Sequence, residues 1–279
     1  MKNKLTHHIK NKIGKWQVIY SEDRKFIWFK CAKTAGTSMF RGVMLKEIDD
    51  VTSYKANPEK FDKWWNDLTD EKINEYFVFT FIRNPYDRLV SAFNHIVVEN
   101  SWEFLERAWP VHSPNVEIPV GFTFIELYTQ FCLFVTRCLK HYDINEQSMS
   151  TGSSHWMPQS VFVELEGYQI VDFVGKYENL KADWKYVAKK IGVTEELPFK
   201  GASRTGKWLG ITREKNQNLP WPVFYVDNEI ILQVSEFYKR DLHILGYIEY
   251  TKLLKISPTA AIEKDKMTRK ENGYRSEKL

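Results

Sequence analysis

The feature that most constrains the fold is a junction near the start of the chain. Lys25 to Cys31 (KFIWFKC) is a short apolar, aromatic run of the kind that forms a buried strand. It breaks into Ala32-Lys33-Thr34-Ala35-Gly36-Thr37-Ser38, where small residues dominate, and then into a helix-like stretch from Met39 to Ile48. Strand, small-residue loop and helix, in that order, make the first half of a nucleotide-binding α/β unit. Such a loop suits a phosphate for physical reasons. Small side chains let the anion approach the backbone, amides turn inward, and the start of a helix adds positive potential. Lys33 supplies a mobile charge, while Thr34, Thr37 and Ser38 supply hydroxyls. The pattern differs from Walker A, whose lysine directly follows the last glycine; here Lys33 precedes Gly36 by three.

A second junction repeats the arrangement. Tyr76 to Ile82 (YFVFTFI) reads as a strand ending in Arg83-Asn84-Pro85, and Pro85 suits the first position of a helix reaching about Val98. Arg83 then stands at a strand's carboxyl end, where open α/β sheets bind ligands. Ser91 lies roughly two helical turns on, and a tight turn at Asn84-Pro85 would bring both to one phosphate. Arg88, three residues before Ser91, would share that face.

Further along, Gln169 to Lys176 (QIVDFVGK) reads as a third strand, with a helix from Leu180 to Ile191. Phe122 to Leu139 and Asp227 to Tyr238 are helical in pattern, and residues 49–75 read as polar and irregular. Residues 99–122, with Trp102, Trp109 and three prolines, have the look of a lid or substrate loop. The expected fold class is α/β: a P-loop-like three-layer fold with a mostly parallel central sheet and helices on both faces. A single domain over residues 1–257, carrying an insertion at about 99–160, accounts for this order, and residues 258–279 form a charged tail.

Composition narrows the class. Hydrophobic residues make up 43% of the 279 and charged residues 27%, the balance of a folded globular enzyme. The net charge of +4, from 40 basic against 36 acidic residues, gives no global field for nucleic acid. Cys31, Cys132 and Cys138 lack metal-type spacing and read as reduced thiols. Residues 1–15 lack the apolar stretch of a secretory signal, and no apolar run approaches the ~18 residues that cross a membrane. A cytoplasmic protein without a membrane span is the expectation.

Taken together, the two phosphate-type motifs resemble those of the sulfotransferases that use 3′-phosphoadenosine 5′-phosphosulfate (PAPS). Lys33-Thr34-Ala35-Gly36-Thr37-Ser38 is similar to the family's 5′-phosphosulfate loop. Arg83 through Phe93 matches every fixed position of its 3′-phosphate motif, RxPxxRxxSxF. Within the family the likeness is to carbohydrate sulfotransferases of the chondroitin 4-O type. It extends to His155-Trp156, to Asp172 through Leu180, and to Phe237-Tyr238-Lys239-Arg240-Asp241 with Gly246-Tyr247. The resemblance implies that Lys33 contacts the leaving phosphate and that Gly36, Thr37 and Ser38 cradle the 5′-phosphate. It gives Arg83 and Ser91 to the 3′-phosphate, Tyr177 to the neighbourhood of the adenine, and Arg204, in Arg204-Thr205-Gly206-Lys207, to a loop closing over the donor. The sequence departs from the family at Ala32, where many relatives have proline. It also lacks the histidine that some uronyl 2-O-sulfotransferases carry between the first loop and the second strand.

Sulfuryl transfer needs an in-line hydroxyl, a base, and stabilised charge on the leaving phosphate. Lys33 meets the last need, and the scheme requires no metal. His155, in a polar loop, is the first candidate base, with His95 one helical turn after Ser91 as its rival and Glu99 as a third. The acceptor implied is a carbohydrate hydroxyl, stacked on rings such as Trp102, Trp109 and Trp156. The residues leave two other readings open: an ATP-using P-loop kinase, and a non-catalytic nucleotide- or glycan-binding module.

Overall fold

The structure is a computed structural model and describes residues 4–99, 124–140, 153–198 and 221–247. Arg204, Trp102, Trp109 and the tail 258–279 lie outside the described residues. The described residues form two compact units, one from 4–83 and 159–198, the other from 84–99, 124–140, 153–158 and 221–247.

The first unit is built on a five-stranded sheet ordered β3-β1-β2-β4-β7, from β1 (Val18–Ser21), β2 (Phe26–Phe29), β3 (Thr52–Ser53), β4 (Phe77–Ile82) and β7 (Phe173–Lys176). The short strands β5 (Glu164–Leu165) and β6 (Tyr168–Gln169) make a separate antiparallel hairpin. β2, β4 and β7 run parallel, with Phe29 opposite Thr80 and Phe81 opposite Gly175. β1 is antiparallel to β2, because the short turn after Ser21 leaves no room for the crossover that parallel pairing needs, and it is also antiparallel to β3. The sheet is therefore parallel at its centre and antiparallel at one edge, in line with the mostly parallel α/β expectation.

Alternation along the strands sends side chains to opposite faces. On one face Ile19, Phe26, Trp28, Phe79 and Phe81 pack against Met39 and Val43, and against Trp184, Val187 and Ile191 of the helix Leu180–Ile191. On the other, Tyr20 stacks on Trp64, ring centroids 3.8 Å apart. Trp64 belongs to a helix, Pro58–Asn66, where the sequence had read as irregular. Asn57 caps it by accepting from the Lys60 amide, and Pro58 sits at its first turn. Phe61 and Trp64 are its buried residues, too narrow a stripe to stand out among so many charges.

The second unit is helical. Among its described residues, the helix Pro85–Phe93 continues as a π-helix, Asn94–Glu99, alongside the helices Phe124–Lys140, Asn228–Phe237 and Lys239–Ile244. Its core joins Leu89, Phe93, Phe131, Phe134, Trp156, Phe224, Ile231 and Val234. Trp156 and Trp221 are thus core aromatics. For Trp156 this corrects the expectation of a ring open to a sugar: only 7% of it is exposed.

Candidate functional site

The small-residue loop lies between the end of β2 and the helix Gly36–Met39, which runs on through a π-turn, Phe40–Met44, into Leu45–Glu47. Two of its residues, Lys33 (φ 68°) and Ala35 (φ 66°), take the left-handed conformation without being glycine. Such residues cost roughly 1–3 kcal/mol each and persist where the surroundings over-determine them, often at ligand clamps. Left-handed residues at alternate positions are also how a backbone shapes a concave nest of amides for an anion. Thr34 is fully buried and its hydroxyl donates to Cys31 O at 2.8 Å. That corrects the expectation of Thr34 as a hydroxyl donor: its side chain braces the loop from within. Thr37 is exposed and Ser38 half-exposed, so their hydroxyls are open at the helix start.

Gly36 is buried because Lys30 lies over it. A Cβ at Gly36 would meet Lys30 Cε at 3.0 Å. Burial, and then the charges of Arg41 and Lys55, hold the Lys30 ammonium below the usual lysine range. Sequence reading missed Lys30, which closes an apolar strand and passes for part of it. With Lys33 and Arg83 it adds to the positive potential of this unit.

Arg83 ends β4's run and is brought to the loop directly. Its Nη1 donates to Lys33 O at 3.2 Å, and its guanidinium carbon lies 4.2 Å from the centroid of the Tyr177 ring. The structure thus gathers Lys33, Arg83 and Tyr177, which are far apart in sequence. The backbone of Arg83 is held from the other side by Gln159, a fully buried residue that sequence reading did not single out. Gln159 Oε1 accepts from Arg83 N at 2.8 Å, and its Nε2 donates to Arg83 O at 2.7 Å. The Cys31 thiol donates to the same Oε1 at 3.8 Å, so one side chain ties the ends of both strands. Its nearest signal in the sequence was the pair His155-Trp156, which ends three residues before it. Tyr177 is steadied in turn by Asp183, which accepts from Lys176 N at 2.6 Å and from Asn179 Nδ2 at 2.8 Å. Asp172 pairs with Val78 through both its amide and its carboxylate, each at 2.7 Å, so it extends the ladder that carries β7.

The second unit holds the remaining candidates. Asn84 caps the helix Pro85–Phe93 by accepting from Tyr86 N at 3.0 Å. Every residue of that helix is buried except Ser91, which keeps a half-exposed hydroxyl. The spacing puts Arg88 on the face of Ser91, but its side chain does not share that residue's opening to solvent. It is fully buried, and its guanidinium donates to His155 O at 3.1 Å and to Met157 O. His155 and His95, the two candidate bases, stack on each other with ring centroids 5.3 Å apart and planes inclined by 28°. Glu99 ends the π-helix, and its side chain lies outside the described residues.

Comparison with known proteins identifies the family. A family model described as "Sulfotransferase family" matches residues 16–248. The chain belongs to the sulfotransferase family. It is 22% identical over 251 residues to carbohydrate sulfotransferase 14 of Danio rerio, covering 82% of this chain and 62% of that protein. It is 24% identical over 206 residues to carbohydrate sulfotransferase 12 of Mus musculus, covering 70% and 46%. With carbohydrate sulfotransferase 11 of Rattus norvegicus it shares 24% over 251 residues, covering 82% and 66%. The chain therefore spans between 46% and 66% of the length of these relatives. No solved structure gives a significant match.

These relatives overturn the cytoplasmic expectation, since carbohydrate sulfotransferases are typically Golgi membrane enzymes. That expectation rested on the lack of a signal and of an apolar run. Among the described residues no helix is long and apolar enough to cross a membrane. That is a statement about those helices and does not place the protein in a compartment.

Proposed function

We propose that this sulfotransferase moves a sulfuryl group from PAPS to a hydroxyl of a carbohydrate by in-line displacement, on a P-loop-like framework. The observation that carries the reading is the position of Arg83: its guanidinium bonds the carbonyl of Lys33 and rests on the ring of Tyr177. One arginine thereby links the 5′-phosphosulfate loop, the 3′-phosphate motif and the tyrosine assigned to the adenine.

The chemistry follows from the side chains. The strained loop at Lys33 and Ala35 would turn its amides to the 5′-phosphate, and the open hydroxyls of Thr37 and Ser38 would add donors. We assign Arg83 and the half-exposed Ser91 to the 3′-phosphate, and Arg204 to closure over the donor. In the transfer an acceptor hydroxyl oxygen bonds to sulfur as the bond from sulfur to the bridging phosphate oxygen breaks. The electron pair of that bond stays on the phosphate, where Lys33 is placed to stabilise it. The hydroxyl proton passes to His155, with His95 stacked beside it. The carbohydrate acceptor is supported by the names of the relatives, and the scheme uses no metal.

Calorimetric titration with 3′-phosphoadenosine 5′-phosphate tests the donor assignment, with AMP and ADP as controls and Arg83→Ala alongside. Binding that requires the 3′-phosphate and weakens at least tenfold in the variant, about 1.4 kcal/mol, is the expected result. Equal affinity for ADP would overturn the reading in favour of an ATP-type site.

A further inference from the structure

The segment His155–Met157 is held in an unusual way. Its three consecutive carbonyls are each occupied by a buried side chain from elsewhere in the same unit. Arg88 Nη1 donates to His155 O at 3.1 Å, the Tyr238 hydroxyl donates to Trp156 O at 2.5 Å, and Arg88 Nη2 donates to Met157 O. Arg88 is fully buried and Tyr238 is 1% exposed, with the guanidinium carbon 5.9 Å from the tyrosine ring centroid. Between these bonds the indole of Trp156 packs edge-on against Phe134, ring centroids 5.8 Å apart.

This is a costly way to hold a short turn. A guanidinium loses several kcal/mol of hydration on burial, and only well-aimed acceptors offset that. Packing Trp156 into the core would anchor the segment without any buried charge. What the three bonds add is control of direction. Carbonyls fixed on either side of Trp156 set the backbone dihedrals from His155 to Met157, and these set the bond from Cα to Cβ on which the His155 imidazole turns. That ring lies against His95, which belongs to the π-helix continuing the helix that carries Arg88. The clamp and the stacked histidines are thus joined through one continuous helical segment.

We propose that Arg88 and Tyr238 are positioning residues for the base: they lock the His155–Met157 backbone so that the His155 imidazole stays stacked on His95 in the orientation that proton transfer needs. This rests on the assignment of His155 as the base. It also gives separate work to the two arginines of the motif, with Arg83 facing the donor and Arg88 holding the base. Misplacing a catalytic group by about 1 Å can cost roughly a hundredfold in rate, which makes two buried residues a reasonable outlay for aim.

Tyr238→Phe is the clean probe, because it removes one oxygen and keeps the ring that packs beside Arg88. Arg88→Lys is the second variant, since a lysine cannot fork across two carbonyls. Two readouts on the full chain keep the outcomes apart. The first is the pair of imidazole signals of His95 and His155 in a histidine-labelled ¹H–¹³C spectrum. Both move in Tyr238→Phe while those of His8 stay in place, as the mutual ring-current shift of the stack changes. Unmoved signals overturn the clamp whatever the kinetics. The second is transfer of labelled sulfate from PAPS to desulfated chondroitin. Turnover falls roughly ten- to a hundredfold in Tyr238→Phe, with donor-product affinity unchanged, and the substitution adds nothing in a His155→Ala background. Wild-type turnover in Tyr238→Phe, or an equal further loss in the His155→Ala background, overturns the positioning role and leaves the base assignment standing. Wild-type turnover in His155→Ala overturns the base assignment and the proposal with it.

Discussion

Gln159→Met is the substitution whose cost can be worked most directly from the structure. Methionine keeps the length and nearly the volume of glutamine, so no cavity opens and the flexible thioether fills the same space. What disappears is a two-way bond: Oε1 no longer accepts from Arg83 N at 2.8 Å, and Nε2 no longer donates to Arg83 O at 2.7 Å. Each backbone group left without its partner costs about 1–3 kcal/mol when buried. Arg83 is half-buried, so water relieves part of this, and the lower half of the summed range applies, roughly 2–4 kcal/mol. In a chain of this size that lowers Tm by at least roughly 4 °C. Urea unfolding followed by tryptophan fluorescence gives the free energy. Titration with 3′-phosphoadenosine 5′-phosphate gives the second consequence. Arg83 released from Gln159 no longer holds its guanidinium against Lys33 O and the Tyr177 ring, so affinity falls at least tenfold. A stability loss under about 1 kcal/mol would refute the argument that this bond is energetically important. A normal stability loss with unchanged affinity would show that Gln159 serves the fold and not the presentation of Arg83.

Two further substitutions test the frame. Asp50 accepts from the Ser21 hydroxyl at 2.5 Å and from the amides of Glu22 and Asp23 at 2.7 and 3.0 Å. Burial alone would raise its pKa, but these donors together outweigh it and hold the carboxyl below its usual 3.8. A depressed folded value means stability present above the unfolded value and lost as pH falls through the folded one. Acid unfolding curves should therefore converge: Asp50→Asn is less stable than wild type at pH 6, and the gap closes as pH drops below about 4. A constant gap across that range would show that the carboxylate charge is irrelevant. Gly175→Ala tests the close approach of β7 to β4. The new Cβ would sit 2.4 Å from Phe81 Cε1, and Phe81 is itself fully buried, edge-on to Phe79. Overpacking of this kind costs about 1–3 kcal/mol, and a melting temperature equal to wild type would show that the ring can move aside.

The gathering of Lys33, Arg83 and Tyr177 was partly legible because these residues stand where a pattern breaks. Lys33 and Gly36 interrupt an apolar run, and Arg83 ends one; junctions of this kind are local and leave a trace in sequence. What was hidden is long-range or depends on which side of an element faces the core. Gln159 meets Arg83 across 76 positions of chain, and a bond from a side chain to a distant backbone has no period. Arg88 shows the second difficulty. Its spacing from Ser91 gives an angle around the helix axis, but not which direction is inside. On this helix nearly every direction is inside, and the sequence shows it only as a mixture of polar and apolar residues. The motif RxPxxRxxSxF therefore carries two kinds of information in one string. Ser91 is the one position of this helix that is not buried. Arg88 has the same chemistry as Arg83 and the opposite fate: Arg83 rests its guanidinium on a tyrosine ring beside the Lys33 loop, while that of Arg88 is buried on backbone carbonyls. Matching residue types locates such a motif, but only the surroundings of each side chain tell a half-buried arginine at a strand end from one enclosed in the core.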